Sequence, residues 1–304
     1  MPHLQYSGLN LSRDVDFTTM DHLGDNGCSC VILHVKKDKI LCDIDDENIS
    51  LSLSSYNKDS IQGEILFLGA LDDRYYFVEA GTDGVQKDTQ KYMSIRAVTQ
   101  QLSSFESALA AYAKGLLEWH ETHRFCPACG SANTLQQFGA LRICTNESCR
   151  KESYPRINPA VIMLVEAEVG DQTKVLLAHH RHYRKGHYST LAGYLSLGES
   201  LEDAVRREVW EETRVRVSNV QYCGSQPWSF SGSIMILFTA KAETTAIEPD
   251  GVEVIDARWF SRNEIIERKL FSSPDSASGY LIKAWLEKDA DDCEEALKVD
   301  PSKG

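Results

Sequence analysis

Four cysteines constrain residues 126–149 more tightly than any other feature of the chain. In FCPACGSANTLQQFGALRICTNESC they run Cys126-x2-Cys129-x14-Cys144-x4-Cys149. Two close pairs on two tight turns can set four thiolates at the corners of a tetrahedron, the arrangement Zn2+ takes in structural sites. Pro127 and Gly130 suit the first turn. A redox dithiol of Cys126 and Cys129 would leave the second pair unexplained. Four thiolates also close the coordination shell and leave no room for a substrate. The expectation is one structural zinc per chain, in a ribbon joining two domains. The ribbon carries Arg124, Arg142, Arg150 and Lys151, too few cations to mark it as a nucleic-acid surface.

The chain has 304 residues, a length that suits about two domains. No apolar run reaches the roughly 18 residues of a membrane-spanning helix, so no membrane association is expected. The N-terminal MPHLQYSGLNLSRDVDF lacks a basic stretch followed by an apolar one, so no secretory leader is read. The ending KVDPSKG is not of the peroxisomal Ser-Lys-Leu type. Nine cysteines without such a leader indicate a reducing compartment and metal binding rather than disulfides, and a cytoplasmic protein is expected. Cys28, Cys30, Cys42, Cys223 and Cys293 read as ordinary thiols. The formal net charge is −13, which would repel polyanions at long range. Non-specific nucleic-acid binding is therefore not expected, and a phosphate-bearing ligand has to be held by a local site or by metal ions.

Residues 1 to about 100 read as mostly β. CSCVILHVKKDKILCDID, GEILFLGALDD and RYYFVEAG are short apolar runs between turn residues. SSFESALAAYAKGLLEWHE, 103 to 121, reads as a helix capped by Ser103 or Ser104, with Glu106 placed for a capping box. AVIMLVEAEV and TKVLLAHH are buried strands joined by a Gly-Asp turn, followed by the loop RHYRKGHYST. VSNVQYCGSQPW, SIMILFTAKAE and IDARWFS are further strands, and RNEIIERKL and SASGYLIKAWLEKDADDCEEAL are helical. Strands and helices mix without regular alternation, so the class is α+β. The expected organisation is a β-rich N-terminal domain over 1–122, a ribbon over 123–153, a third domain over 154–290 and an acidic tail over 291–304.

The segment GYLSLGESLEDAVRREVWEETRV, 193 to 215, crowds carboxylates around three arginines. On a helix from about Leu201 to Thr213, Glu208, Glu211 and Glu212 stand at i, i+3 and i+4 on one face. Like charges at that spacing repel unless something neutralises them. A solvated surface helix is the plain reading. Arg207, placed to pair with Glu199, and the Gly-bounded loop GYLSLGES favour a face that binds divalent cations. Mg2+ prefers oxygen ligands and bridges carboxylates to phosphates, and such ions can activate water and neutralise phosphate charge.

This segment resembles the Nudix box, Gly-x5-Glu-x7-Arg-Glu-U-x-Glu-Glu-x-Gly-U, with U bulky and apolar. Gly193, Glu199, Arg207, Glu208, Val209, Glu211, Glu212 and Val215 match, and Arg214 replaces the second glycine. The resemblance implies an α/β/α sandwich that hydrolyses a nucleoside diphosphate linked to another moiety. It also implies Mg2+ or Mn2+, two or three ions, at Glu208, Glu211 and Glu212, with Arg207 orienting the glutamates. Downstream, SQPWSFSGS is similar to the Ser-Gln-Pro-Trp-Pro-Phe-Pro-x-Ser signature of NADH pyrophosphatases, with Ser229 and Ser231 in place of prolines. Trp228 and Phe230 taken alone would read as core aromatics. That family also carries a four-cysteine ribbon, a Tyr-Pro-Arg segment as at Tyr154, and a late segment similar to SASGYLIKAWL.

What the resemblance implies for the site is specific. Tyr154 and Tyr194 would hold flat bases by stacking. Gln226, Pro227, Trp228, Ser229, Phe230, Ser231, Gly232 and Ser233 would line the pocket, Trp228 reaching into the partner subunit of a homodimer. Gly193, the Ala192 carbonyl and Ala277 would also face substrate, and Ala192 would join the glutamates as a metal ligand. Glu253, three residues before DARWF, best fits the further acid expected from a later loop; its plain reading is a surface acid. The products would be NMN(H) and AMP, and the resemblance also implies removal of NAD caps from RNA, leaving a 5′-monophosphate. ADP-ribose or diadenosine polyphosphates are alternative substrates, and a non-catalytic ligand sensor or RNA-binding module is the alternative of another class. The basic run HHRHYRKGHYS could touch phosphate or RNA, though a solvated loop is the simpler reading.

Overall fold

A computed structural model describes residues 4–14, 29–45, 48–56, 63–80, 87–270, 273 and 276–287. The acidic tail 291–304, Cys28 and Cys293 lie outside these residues. The chain divides into two compact units. One is Tyr6–Ile157 together with Trp228–Gly232; the other is Asn158–Pro227, the residues from Ser233 onward and those before Tyr6.

The first unit is built on a seven-stranded sheet. Its strands are β1 (Ser29–Lys36), β2 (Lys39–Asp45), β3 (Asn48–Leu51), β4 (Leu53–Ser55), β5 (Ile65–Leu71), β6 (Arg74–Ala80) and β7 (Gln90–Ser94), and the order is β3-β2-β1-β6-β5. β4 also pairs with β1 and β7 with β2. β1 and β6 run parallel. A one-turn helix α1 (Ile95–Val98) leads into α2 (Ser104–Thr122). Of the two serines the sequence offers, Ser103 caps α2: its hydroxyl accepts the Glu106 N–H, and the Glu106 carboxylate accepts the Ser103 N–H, so two end donors are satisfied. Leu109, Ala110, Ala113, Leu116 and Leu117 of α2 share one core with Leu33, Val35, Leu66, Leu68 and Val78 of the sheet. The ribbon follows, a three-stranded sheet of β8 (Asn133–Gln136), β9 (Leu141–Cys144) and β10 (Glu152–Ser153).

The second unit is a mixed sheet between two helical layers. Its strands are β11 (Asn158–Val169), β12 (Gln172–His180), β13 (Leu191–Tyr194), β14 (Val217–Trp228), β15 (Ser233–Ala242) and β16 (Val254–Phe260). Its helices are α3 (Leu201–Thr213), α4 (Arg262–Glu267) and α5 (Ala277–Glu287). The order is β14-β15-β11-β12-β16, and β13 pairs with β11. The turn between β11 and β12 places Gly170 at φ 72°, where a Cβ is disfavoured. β11 is buried on both faces from Ala160 to Ala167. Its alternation sorts the layers: Val161, Met163 and Val165 share a core with Ala204, Val205 and Val209 of α3, while Ile162 and Leu164 share one with Ile265 of α4 and Leu281, Ile282 and Trp285 of α5. Burying each such valine or leucine contributes about 1.5–3 kcal/mol, which fixes α3 by its apolar stripe and turns its carboxylates away from the core's centre. This is the α/β/α sandwich expected. No helix among the described residues is long and apolar enough to cross a membrane.

Candidate active site

α3 has the bounds read from the sequence, Leu201–Thr213, with Ser200 accepting the Asp203 N–H as its N-cap. Arg207 is the hub of its polar face. Its Nε and Nη2 reach the two oxygens of Glu199 at 2.5 and 2.9 Å. Nη1 donates to Glu208 at 2.9 Å and to Glu211 at 2.8 Å, and Nη2 also donates to the Tyr194 carbonyl at 3.0 Å. One planar guanidinium thus ties the helix to the loop and to β13, a geometry a lysine cannot reproduce. Arg207, with the Ser196 N–H, holds the Glu199 carboxyl down at about 2.

Gly193 has a steric reason to be glycine. A Cβ built there would lie 1.9 Å from the Glu208 carboxyl carbon. Gly193 and Tyr194 are not loop residues, as GYLSLGES suggested. They end β13, whose antiparallel register sets Ala192 opposite Ile162 and Gly193 opposite Val161. Four ladder positions on β11 override the local glycine signal.

Glu212 is buried, only 4% exposed, and its Oε2 has no hydrogen-bond partner. Burial, then the charges of Glu208, Glu253, Asp250 and Glu211, push its carboxyl up to about 8. Burial likewise raises Glu208. The loop bearing Glu253 is anchored to the end of the same helix: the Asp250 N–H donates to the Glu212 carbonyl at 3.1 Å and the Glu248 N–H to the Thr213 carbonyl at 2.9 Å. The Asp250 carboxylate accepts the N–H groups of Val252, Glu253 and Val254 and shapes the turn. Arg181, in the basic run after β12, donates to the carbonyls of Val252 and Gly251 at 2.7 and 2.6 Å. Arg181 is bonded to the loop while remaining exposed. Asp250 carries no chemical signal in the sequence beyond the Asp250-Gly251 turn pair, and Arg181 none beyond its place in the basic run.

These residues suit a hard divalent cation. All donors are oxygens, one of them, Glu212 Oε2, is buried and unpartnered, and the charges of Glu208, Glu253, Asp250 and Glu211 all act on it. The carboxylate oxygens are not drawn into one cluster, since Arg207 holds Glu208 and Glu211. Among the described residues, the four cysteines are the group of potential ligands whose atoms all lie within 4.8 Å of one another. Sγ of Cys126 and Cys149 are 3.8 Å apart, those of Cys129 and Cys144 3.4 Å. Backbone N–H groups of Ala128 and Ser131 lower the Cys126 and Cys129 thiols, whereas burial raises Cys144 to about 12. Four sulfurs drawn together, with backbone amides aimed at two of them, fit Zn2+.

The remaining predicted residues are placed as follows. Tyr194 is 55% exposed, with its hydroxyl 3.2 Å from Ser233 Oγ. Gln226 is buried and donates to the Gln5 carbonyl, and Pro227 follows on β14. Trp228 and Phe230 belong to the first unit, where Tyr6 meets them edge-on at 6.0 and 5.3 Å and Arg96 lies over Trp228. Ser229 and Ser231 bound a short 3-10 turn that Gly232 closes at φ 62°. Tyr154 is 56% exposed in the first unit and donates its hydroxyl to Glu152. Ala277 is buried at the start of α5. Arg214 keeps the left-handed backbone of the glycine it replaces, φ 60° and ψ 12°, and its N–H closes on the Trp210 carbonyl. The helix exit is unchanged, at a local cost of roughly 1 kcal/mol.

The NUDIX domain model matches residues 156–278. The NAD-capped RNA hydrolase NudC of Vibrio atlanticus (strain LGP32) is 36% identical over 212 residues, 69% of this chain and 74% of that protein. The chain belongs to the Nudix hydrolases and, within them, to the NADH pyrophosphatase family. The human NAD-capped RNA hydrolase NUDT12 is 40% identical over 200 residues, 61% of this chain; the chain spans 43% of that protein's length. A solved NUDIX hydrolase from Nitrosomonas europaea aligns over 47% of this chain and 80% of its own with 26% identity and TM-score 0.39.

Proposed function

We propose that the chain hydrolyses the pyrophosphate of NAD(H) to NMN(H) and AMP in a Mg2+- or Mn2+-dependent reaction, and removes NAD caps from RNA to leave a 5′-monophosphate. The observation that carries this is the Arg207-anchored carboxylate face, with Glu212 buried and unpartnered beside the Glu253 loop. Glu208, Glu211, Glu212, Glu253 and the Ala192 carbonyl would hold the cations, which when bound neutralise the pyrophosphate and lower the pKa of water. Arg207 keeps the glutamates in place through Glu199. The exposed rings of Tyr194 and Tyr154 each suit a flat base, and Gly193, Ala277 and the residues of Gln226–Ser233 are individually proposed as substrate contacts. The cysteine cluster is assigned one structural Zn2+ per chain. A homodimer and a cytoplasmic location complete the reading. The NAD-capped RNA hydrolases among its relatives support the substrate.

The test compares turnover of NADH, ADP-ribose and NAD-capped RNA with Mg2+ and with Mn2+. NADH and capped RNA are expected to be cleaved well above ADP-ribose. Preference for ADP-ribose, or cleavage without a divalent cation, overturns the assignment. Metal analysis finding no zinc removes the ribbon's ion.

A further inference from the structure

One surface on the second unit is unused by that reading. Trp210 lies on α3 and is 40% exposed. The guanidinium carbons of Arg214 and Arg216 lie 5.7 and 5.3 Å from the centroid of its ring. Arg214 also donates from Nη1 to the Trp210 carbonyl at 3.2 Å. Arg216 is fixed through its backbone: its N–H donates to Thr244 Oγ1 at 3.0 Å and its carbonyl accepts the Glu243 N–H at 2.7 Å. Arg206, one turn before Trp210, is already paired with Asp203 at 2.9 Å. Neither Arg214 nor Arg216 is ion-paired among the described residues. Two available cations beside an exposed indole stand out on a chain of net charge −13.

Two further facts bear on what this surface does. Arg214 holds a left-handed backbone, φ 60°, that glycine would adopt without strain. Non-glycine residues kept in such conformations cluster at functional sites. Trp210 directly precedes Glu211 on α3, and Arg214 caps the end of that helix. The cationic, aromatic strip is therefore carried by the same helix as the carboxylate face and by the residues just after it.

We propose that Trp210, Arg214 and Arg216 hold the nucleotides that follow the cap of a single-stranded RNA, the guanidiniums on phosphates and a base stacked on indole or guanidinium. Bases of single strands are held in this way, on aromatic rings and on the planes of arginines. The inference rests on capped RNA being a substrate. A free dinucleotide has no phosphate beyond its own pyrophosphate and does not engage the strip. The strip thus discriminates between two substrates of the same carboxylate face. An acidic peptide would satisfy the cations but leave the stacking surface unexplained.

The test uses the full chain and four variants: Arg214→Gly, Arg216→Ala, Trp210→Ala and the Arg214→Gly/Arg216→Ala double variant. Steady-state kinetics are read on NADH and on NAD-capped RNA. Fluorescence anisotropy is read on an uncapped 5′-monophosphate RNA of the same sequence over a range of salt. NADH kcat/KM is expected to stay within about twofold, while KM for capped RNA rises about tenfold in the double variant, which loses two charge-assisted contacts. The log–log salt slope of RNA binding should shrink by about 1.4, roughly 0.7 for each lost phosphate contact on a single strand. Unchanged RNA binding in the double variant, equal losses on NADH and RNA, or displacement of RNA by polyglutamate at equal charge each overturn the proposal. Wild-type protein that cleaves neither substrate refutes the functional reading, and the anisotropy series still decides whether the strip binds RNA.

Discussion

Glu199 closes both carboxylate oxygens on the guanidinium of Arg207, at 2.5 and 2.9 Å, across eight residues of sequence. The same guanidinium holds Glu208 and Glu211, so the loop, the helix face and β13 share one fixed point. Arg207→Lys keeps the charge but loses the fork. Its kcat on NADH should fall about 100-fold, the effect of displacing positioned groups by about an ångström, with little change in thermal midpoint. Glu199→Gln should give a smaller fall, and the two together less than their product. Multiplicative effects would show that Glu199 and Arg207 do not act as a unit.

Glu212 trades stability for its place in the site. Its carboxyl titrates near 8 in the folded chain against an ordinary value of 4.5. The folded state therefore holds a proton that the unfolded state releases. Its contribution is fully present below about 4.5 and is lost as pH rises through about 8. Without added Mg2+ or Mn2+, Glu212→Gln should raise the thermal midpoint at pH 8.5 more than at pH 5, because the amide has no charge to desolvate. The same variant should lose NADH hydrolysis. Thermal unfolding at both pH values and turnover with Mg2+ check it; an unchanged turnover refutes the assignment of Glu212.

A second titration lies in the first unit. His120 Nδ1 accepts from Arg142 Nε at 2.9 Å and its Nε2–H donates to the Gly139 carbonyl at 2.9 Å. Both groups are buried, and burial lowers the imidazole to about 4. The unfolded chain takes up this proton near 6.5 and the folded chain only near 4. The stability it confers is complete above about 6.5 and is lost as pH falls through about 4. Urea midpoints should fall between pH 7 and pH 4.5 by more in the wild type than in His120→Gln, the difference excluding acid loss of metal from the cysteines. Parallel pH profiles would remove His120 from the account.

Where the determinants are local, the sequence was enough. The capping box at Ser103 and Glu106, the bounds of α3 and the four-thiol cluster follow from spacing alone. Glu253 is expected only through the family resemblance, and it lies on the loop bonded to the end of α3. What escaped depends on distant backbone. β13 is four residues long, and only its ladder with β11 distinguishes it from a loop. Arg181 binds carbonyls about 70 residues away, a pairing that no local pattern encodes. Arg214 shows the opposite case: an expected strain that the helix absorbs without changing its exit.

The exchange of short segments between the two units has a practical consequence for dissecting the molecule. Leu4 and Gln5 belong with the Nudix unit, and Trp228–Gly232 with the N-terminal one. No single cleavage separates them. A fragment begun at Asn158 would keep Trp228 and Phe230 but lose Tyr6 and Arg96, which cover them, and would leave Gln226 without the Gln5 carbonyl. The polypeptide is modular in architecture yet indivisible as a reagent, and studies of its catalysis need the whole chain.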